Sequence, residues 1–287
     1  MHNILFIGLG TMGYPMAGHL SQINNVTVYN RTLSKSKNWA KEYGGKIIEA
    51  LSEINGSFDF IISCVGNDND LKEITLSENG CFQNIKNKTI FIDHSTVSPN
   101  LVKLINNEAS KLDIHFLDAP ISGGEVGAIN GALSIMIGGD LSSFYPAEKI
   151  LQVYGKKIKY MGKSGSGQLT KIINQICIAG LVQGLSEAIN FGMKAGLNME
   201  DVIEVISKGA AQSWQMENRY KTMIDDKFDF GFAVDWMRKD LKIAMEEAKN
   251  NGSLLPVTEL VDKYYGEVQG MGGNRWDTSS LIKRFRK

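Results

Sequence analysis

The first thirteen residues constrain this chain more than any other stretch. An apolar run, Ile4-Leu5-Phe6-Ile7, leads directly into Gly8-Leu9-Gly10-Thr11-Met12-Gly13, a G-x-G-x-x-G spacing, and then into a helical pattern. In a strand–turn–helix of this kind each glycine has its own task. Gly8 permits the tight turn, Gly10 lets the backbone approach a pyrophosphate, and Gly13 lets helix and strand pack closely. The pyrophosphate then meets the positive end of the helix dipole and its unpaired N–H groups. The glycine spacing alone is weak evidence. Its position directly after a strand and before a helix makes dinucleotide binding the reading, with Gly8, Leu9, Gly10, Thr11, Met12 and Gly13 as the candidate loop.

The second strand ends at Val28-Tyr29-Asn30-Arg31-Thr32. There, about 20 residues beyond the glycines, NAD enzymes usually present an acidic residue to the ribose 2′-hydroxyl. This chain has neutral Asn30, then Arg31 and the hydroxyl of Thr32. A guanidinium can grip a 2′-phosphate through paired, charge-assisted bonds, and no carboxylate occupies that position to repel it. The expectation is NADP favoured over NAD, with Asn30, Arg31 and Thr32 at the ribose.

Further short apolar runs at residues 58–65, 89–93, 114–118 and 133–137 alternate with helical segments. They are continuous rather than alternating, as strands covered on both faces are. Ser98-Pro99 supplies an N-cap and first-turn proline for a helix to about residue 112. The alternation predicts an α/β Rossmann domain, residues 1–163, with a doubly wound, mostly parallel sheet. After about residue 160 strand signals stop. A long helix over about 167–195 joins this to an all-α C-terminal domain, residues 164–287, with helices near 199–208, 214–225, 234–250 and 256–270.

Composition excludes some roles. The formal net charge is zero, so nothing favours nucleic acid or an anionic membrane as partner. The apolar stretch around 172–185 is interrupted by Asn174, Gln175 and Gln183 and reads as a buried helix, not a membrane span. No N-terminal leader pattern is visible. Cys64, Cys81 and Cys177 are far apart in sequence and read as small buried hydrophobes in a reducing cytoplasm. Neither they nor the four histidines have metal-site spacing, so no metal is expected. Trp214, Met216 and the aromatic run 228–236 read as helical-domain core. The tail Lys283-Arg284-Phe285-Arg286-Lys287 reads as a solvated helix end.

Four segments in order resemble the β-hydroxyacid dehydrogenase family, which includes 3-hydroxyisobutyrate dehydrogenase, tartronate semialdehyde reductase and the glyoxylate/succinic semialdehyde reductases. They are Gly8-Leu9-Gly10-Thr11-Met12-Gly13, Asp118-Ala119-Pro120-Ile121-Ser122-Gly123-Gly124, Gly165-Ser166-Gly167-Gln168-Leu169-Thr170-Lys171 and Lys239-Asp240-Leu241. The resemblance covers essentially the whole chain. It implies metal-free, reversible hydride transfer and homodimers or homotetramers built through the helical domain. It also implies a substrate-binding segment at Ser122, Gly123 and Gly124, a catalytic Lys171, and cofactor contacts from Val65 and Thr96. One departure stands out. The family usually has asparagines at the third and fourth positions after the lysine; this chain has Asn174 but then Gln175.

These residues suit carbonyl reduction. Partial burial, a cationic neighbour and the positive helix end would disfavour the charged form of Lys171, placed in the first turn of the long helix. It would then serve as general acid in reduction and base in oxidation. Asn174 and Gln175, three and four residues on, share its helix face and could orient the substrate oxygen. Ser122 with the N–H groups of Gly123 and Gly124 suits a carboxylate, and Lys239 adds positive charge for substrate and cofactor. The reading is an NAD(P)-dependent oxidoreductase interconverting a 3-hydroxyacid, 3-hydroxyisobutyrate-like, and its semialdehyde. The alternatives are an imine reductase on the same fold, which generally lacks this lysine, or a catalytically degenerate dinucleotide-binding scaffold.

Overall fold

The computed structural model describes residues 1–54, 58–85 and 88–286. Internal contacts divide the chain into two units, Met1–Lys171 and Ile172–Lys287.

The first unit is built on a nine-stranded sheet. Six parallel strands run in the order β3 (Lys46–Ile47), β2 (Asn25–Tyr29), β1 (Asn3–Ile7), β4 (Phe60–Ser63), β5 (Ile90–Asp93), β6 (His115–Asp118). Apart from exposed Asn3 at the start of β1, the central strands are buried along their length, which is why their sequences are apolar without alternation. The chain order reverses between β1 and β4, the kind of place where open α/β sheets bind ligands. Beyond β6 the sheet changes direction. β6 and the short β7 (Ile121–Ser122) follow one another antiparallel to β8 (Leu133–Gly139), with Leu117 opposite Gly139 and Ser122 opposite Ser134.

The final strand, β9 (Gly155–Gly162), pairs parallel with β8. The sequence pattern misses it because Lys156, Lys157 and Lys159 break its apolar run. Those lysines are exposed on an edge strand, where charge discourages pairing with another chain. Helices flank the sheet: α1 (Gly13–Ser21), α2 (Leu33–Tyr43), α3 (Asp68–Leu76), α4 (Pro99–Lys111), α5 (Gly124–Ile129) and α6 (Leu141–Leu151). Two separate apolar clusters cover its faces, one including Phe6, Val28 and Trp39 and the other Leu5, Ile61 and Phe91. Full burial of side chains of this size contributes about 1.5–3 kcal/mol each. The Ser98 hydroxyl accepts the N–H of Leu101 at 3.2 Å, giving α4 the expected cap.

The long helix α7 (Ser166–Lys194) begins in the first unit and continues into the second. By length and hydropathy alone it could cross a membrane, but it carries Lys171, Gln175 and Gln183 at buried positions. The second unit continues with α8 (Met199–Ile206), α9 (Trp214–Ile224), α10 (Val234–Asn251) and α11 (Pro256–Gly270). Its core includes Val182, Met237, Leu241, Val261 and Tyr265.

Three expectations need correction. Lys283, Arg284 and Phe285 of the basic tail end a 3₁₀ helix, Thr278–Phe285, and the described cations of the tail are paired rather than simply solvated. Lys283 and Arg286 both pair with Asp226, and Arg284 pairs with Glu267 and lies over the Tyr264 ring. The carboxylates that collect these cations come from distant sequence positions; Lys287 lies outside the described residues. Of the cysteines only Cys81 is buried; Cys177 is exposed, because its position on α7 faces away from the core residue Ala179. Trp214 is likewise half exposed rather than core, with the Arg219 guanidinium 4.8 Å from its ring centre, whereas Met216 and Phe228 are buried.

Candidate active site

The three glycines of the N-terminal loop sit in three different environments. Gly8 has φ +97°, and a Cβ there would lie 2.4 Å from the carbonyl oxygen of Cys64. At Gly13 a Cβ would lie 2.0 Å from the Gly8 carbonyl oxygen and 3.0 Å from the Phe6 ring. Gly10 is the opposite: it is exposed, and nothing stands within 4 Å of where its Cβ would be. The N–H groups of Gly10, Thr11 and Met12 have no protein acceptor among the described residues. Open space beside unpaired N–H donors at a helix start fits a diphosphate.

Asn30 is bonded at both ends of its amide. Its side-chain oxygen accepts the Leu9 N–H at 2.8 Å, and its amide nitrogen donates to the Thr32 carbonyl at 3.1 Å. It therefore braces the glycine loop against the end of β2. Arg31 and Thr32 are exposed. The Arg31 guanidinium reaches a carboxylate after all: Asp70 Oδ1 lies 3.1 Å away. Asp70 sits at the start of α3 and is itself held by the Asn67 amide at 3.1 Å. No spacing within the β2 end reveals this partner, because it arrives from the first turn of α3.

The loops after β4 and β5 are joined by a buried network. Val65 donates its N–H to the Ser95 hydroxyl at 2.9 Å, and that hydroxyl donates to Asp93 at 2.6 Å. Ser63 also donates to Asp93, at 2.7 Å. Burial pushes the Asp93 carboxyl up to about 7, against the pull of those hydroxyls, and Asp118 beside it raises it further. Asp118 is the register partner of Asp93 on the neighbouring strand. Burial lifts it to about 6, opposed by the N–H groups it accepts. His94 bonds the Ala119 carbonyl and the Tyr154 hydroxyl, and burial lowers it to about 4. It is an uncharged internal bridge at neutral pH. Thr96, half-buried, lies between the bonded residues Ser95 and Val97.

Asp118 also fixes the start of α7. Its two oxygens accept the N–H groups of Gly165 at 2.8 Å and Gln168 at 3.0 Å. A Cβ on Gly167 would lie 2.6 Å from the Asp118 backbone oxygen, so only glycine fits there. This brace starts the helix at Ser166, so Lys171 lies in its second turn and not, as expected, in the first. The helix-dipole contribution expected for it is thereby reduced, since that effect fades within the first turn. Lys171 is 8% exposed.

On the substrate side of the expectation, Ser122 ends β7, and Gly123 and Gly124 are exposed with φ +130° and +62°. A side chain would be strained at either glycine.

Within the second unit, Gln175 donates to Asp240 at 2.6 Å and accepts from Asn174 at 2.8 Å. Asp240, buried on α10, also pairs with Lys239 at 3.1 Å. The extra methylene of Gln175 thus has a use, reaching an acid 65 residues away in sequence. Lys239 brings its positive charge already matched by a neighbouring carboxylate. A hollow of about 330 Å³ lined by Leu76, Phe82, Leu104 and Leu112 touches none of these loops and takes no part in the site.

Residues 3–162 match the family model for the NAD binding domain of 6-phosphogluconate dehydrogenase. Residues 165–285 match that for the NAD-binding region of NADP-dependent 3-hydroxyisobutyrate dehydrogenase. The chain belongs to the β-hydroxyacid dehydrogenase family. As a member of this family it is an NAD(P)-dependent oxidoreductase. It is 53% identical to an uncharacterised oxidoreductase of Shewanella frigidimarina over 100% of this chain and 99% of the relative. It is 34% identical to the 2-hydroxy-3-oxopropionate reductase of Escherichia coli over 97% and 95%. Among solved structures, a Mycobacterium tuberculosis 3-hydroxyisobutyrate dehydrogenase with L-serine is 25% identical, with TM-score 0.88 over all of both chains.

Proposed function

We propose that this family member interconverts a small 3-hydroxyacid and its semialdehyde, with Lys171 as the proton-transferring group. The observation that carries this reading is the placement of Lys171: a lysine 8% exposed, on a helix start fixed by the Asp118 carboxylate. Lysines are seldom so buried without a specific task.

The nicotinamide group, when bound, donates or accepts the hydride. In reduction Lys171 Nζ gives a proton to the carbonyl oxygen as it becomes a hydroxyl, and in oxidation it takes that proton back. Asn174 and Gln175, one turn further along the helix, orient the same oxygen. Ser122 and the N–H groups of Gly123 and Gly124 hold the carboxylate, with Lys239 adding positive charge. Residues 1–163 serve the cofactor, through the loop 8–13, Asn30, Arg31, Thr32, Val65 and Thr96, and residues 164–287 serve substrate and assembly. A substrate with a carboxylate and an oxygen on its third carbon also accords with the names of the reductase and dehydrogenase relatives.

The test is a screen of turnover, followed by nicotinamide absorbance, with NADP and NAD against 3-hydroxyisobutyrate, 4-hydroxybutyrate, glycerate, serine, threonine and the matching aldehydes. The expected result is activity confined to acids oxidised at the third carbon. Activity only on cyclic imines, or none on any carbonyl, would remove the reading.

For the cofactor we favour NADP, because Arg31 is exposed where a 2′-phosphate would lie, and one matching family model describes an NADP-dependent enzyme. Asp70 opposes this by occupying the guanidinium. Replacing Arg31 with Ala should raise the KM for NADP about tenfold, the loss of a bond between charged groups. Replacing Asp70 with Asn should lower it about two- to fivefold, what an exposed pair worth up to about 1 kcal/mol allows. The KM for NAD should move little in either variant. Equal shifts for both cofactors would take Arg31 away from the 2′-phosphate.

A self-associating helical unit is also proposed. Ile173, Cys177 and Leu181 form an exposed stripe at four-residue spacing on α7, and Val257 stands 4.0 Å from a Cβ built on neighbouring Gly180. With Leu254 and Leu260 this makes an apolar surface suited to a second copy. Cys64, Cys81 and Cys177 form no disulfide, which accords with a cytoplasmic, reducing location.

A further inference from the structure

We infer that Gln168 is a positioning residue: its side-chain amide clamps the loop on both sides of Thr96 and so keeps that loop in register with the helix that carries Lys171. This rests on the reading of Lys171 as the proton-transferring residue.

Gln168 has no solvent exposure, and each end of its amide is used. Its Oε1 accepts the Val97 N–H at 3.2 Å, and its Nε2 donates to the Ser95 carbonyl at 2.8 Å. A single amide therefore replaces the backbone partner that the loop 95–97 would otherwise need. Its own N–H donates to Asp118 at 3.0 Å, so the residue is fixed at its base as well. Ser95 in turn holds Val65 and is held by Asp93. The two loops after β4 and β5 and the first turn of α7 form one hydrogen-bonded unit, and Lys171 lies three residues beyond Gln168 in that helix.

A glutamine is needed for geometric reasons. The clamp requires one donor and one acceptor side by side, in a dry position where an orphaned backbone group would be costly. Leucine has a similar volume but neither group. Glutamate keeps the acceptor for Val97 and, when ionised, turns an oxygen toward the Ser95 carbonyl. Neither variant alters the glycine loop, Asn30 or Arg31.

The experiment compares Gln168→Leu, Gln168→Glu and Lys171→Ala with the native enzyme. It measures kcat with the fastest acid of the screen, the dissociation constant for NADPH by fluorescence titration, and thermal stability. The expected result for both Gln168 variants is a kcat lowered about ten- to a hundredfold, the scale of an ångström-sized misplacement of reacting groups. The dissociation constant for NADPH should rise by far less than kcat falls, since Thr96 shifts but the diphosphate loop is untouched. Native kcat in a folded Gln168 variant would overturn the inference. So would a loss of fold in both variants, or a fall in kcat no larger than the fall in NADPH-binding sites, because each marks a purely structural amide. Native kcat in Lys171→Ala is a separate outcome: it removes the proton-transfer reading itself, whatever the Gln168 variants do.

Discussion

Lys171→Ala is expected to lower turnover by about 10²–10⁴-fold, the contribution typical of a positioned general acid or base, while nicotinamide binding persists. The two halves of this expectation come from different parts of the molecule. The diphosphate candidate loop, residues 8–13, and its brace Asn30 lie on β1, α1 and the end of β2, none of which carries Lys171. The lysine is 8% exposed, so truncation to alanine also empties space and lowers stability. Lys171→Met separates those effects, because it fills the volume without a titratable group and should lose the same turnover at smaller cost in stability. Lys171→Arg should not restore activity, since a guanidinium does not give up its proton at working pH. Steady-state rates with saturating NADPH, together with a binding titration, decide the matter. Turnover within a few-fold of native would remove Lys171 from the chemistry.

How much of this was legible in the sequence depends on the range of each interaction. The Rossmann sheet was readable because β1, β4 and β5 are buried on both faces and so lack polar interruptions. β9 escaped because edge-strand lysines carry no apolar signal, and β7 because two residues are too few for a pattern. In the site, Gly8 and Gly13 could be read from local spacing, as their constraints come from neighbours along the strand–turn–helix. Asp70, Asp93, Asp118 and Asp240 could not be assigned roles in that way. Each acts on a group 25 or more residues away in sequence, joined only by sheet register or helix packing. Gln168 was visible as part of the segment leading to Lys171, yet its use of both amide ends appears only once residues 95–97 lie beside it. The register pair Asp93 and Asp118 is the nearest thing to a missed signal: two acids at the ends of successive apolar strands in a parallel sheet fall side by side.

The glycine loop yields the second large effect, and its two flexible-looking positions should respond in opposite ways. At Gly13 a methyl group would stand 2.0 Å from the Gly8 carbonyl oxygen, backbone against backbone, with the Phe6 ring at 3.0 Å behind it. No rotamer change relieves that contact, so α1 must move away from the end of β1. Gly13→Ala should therefore lose about 1–3 kcal/mol or more of stability, as overpacked sites do. It should lose cofactor affinity too, because the unpaired N–H groups of residues 10–12 move with the helix start. At Gly10 a methyl meets nothing within 4 Å, and no positive φ has to be held. Gly10→Ala should fold with native stability, or slightly above it by about 0.4–1 kcal/mol through a less flexible unfolded chain. Its affinity for NADPH should nevertheless fall by about tenfold or more, because the added methyl fills the space through which the diphosphate approaches the backbone. Denaturation without cofactor and NADPH titration, run on both variants, separate the two cases. A Gly10→Ala protein that binds NADPH as tightly as native would show that the diphosphate does not lie on this loop. A Gly13→Ala protein of native stability would show that the helix start can give way at no cost. The contrast matters more than either value, since it distinguishes a glycine required by the ligand from one required by the fold.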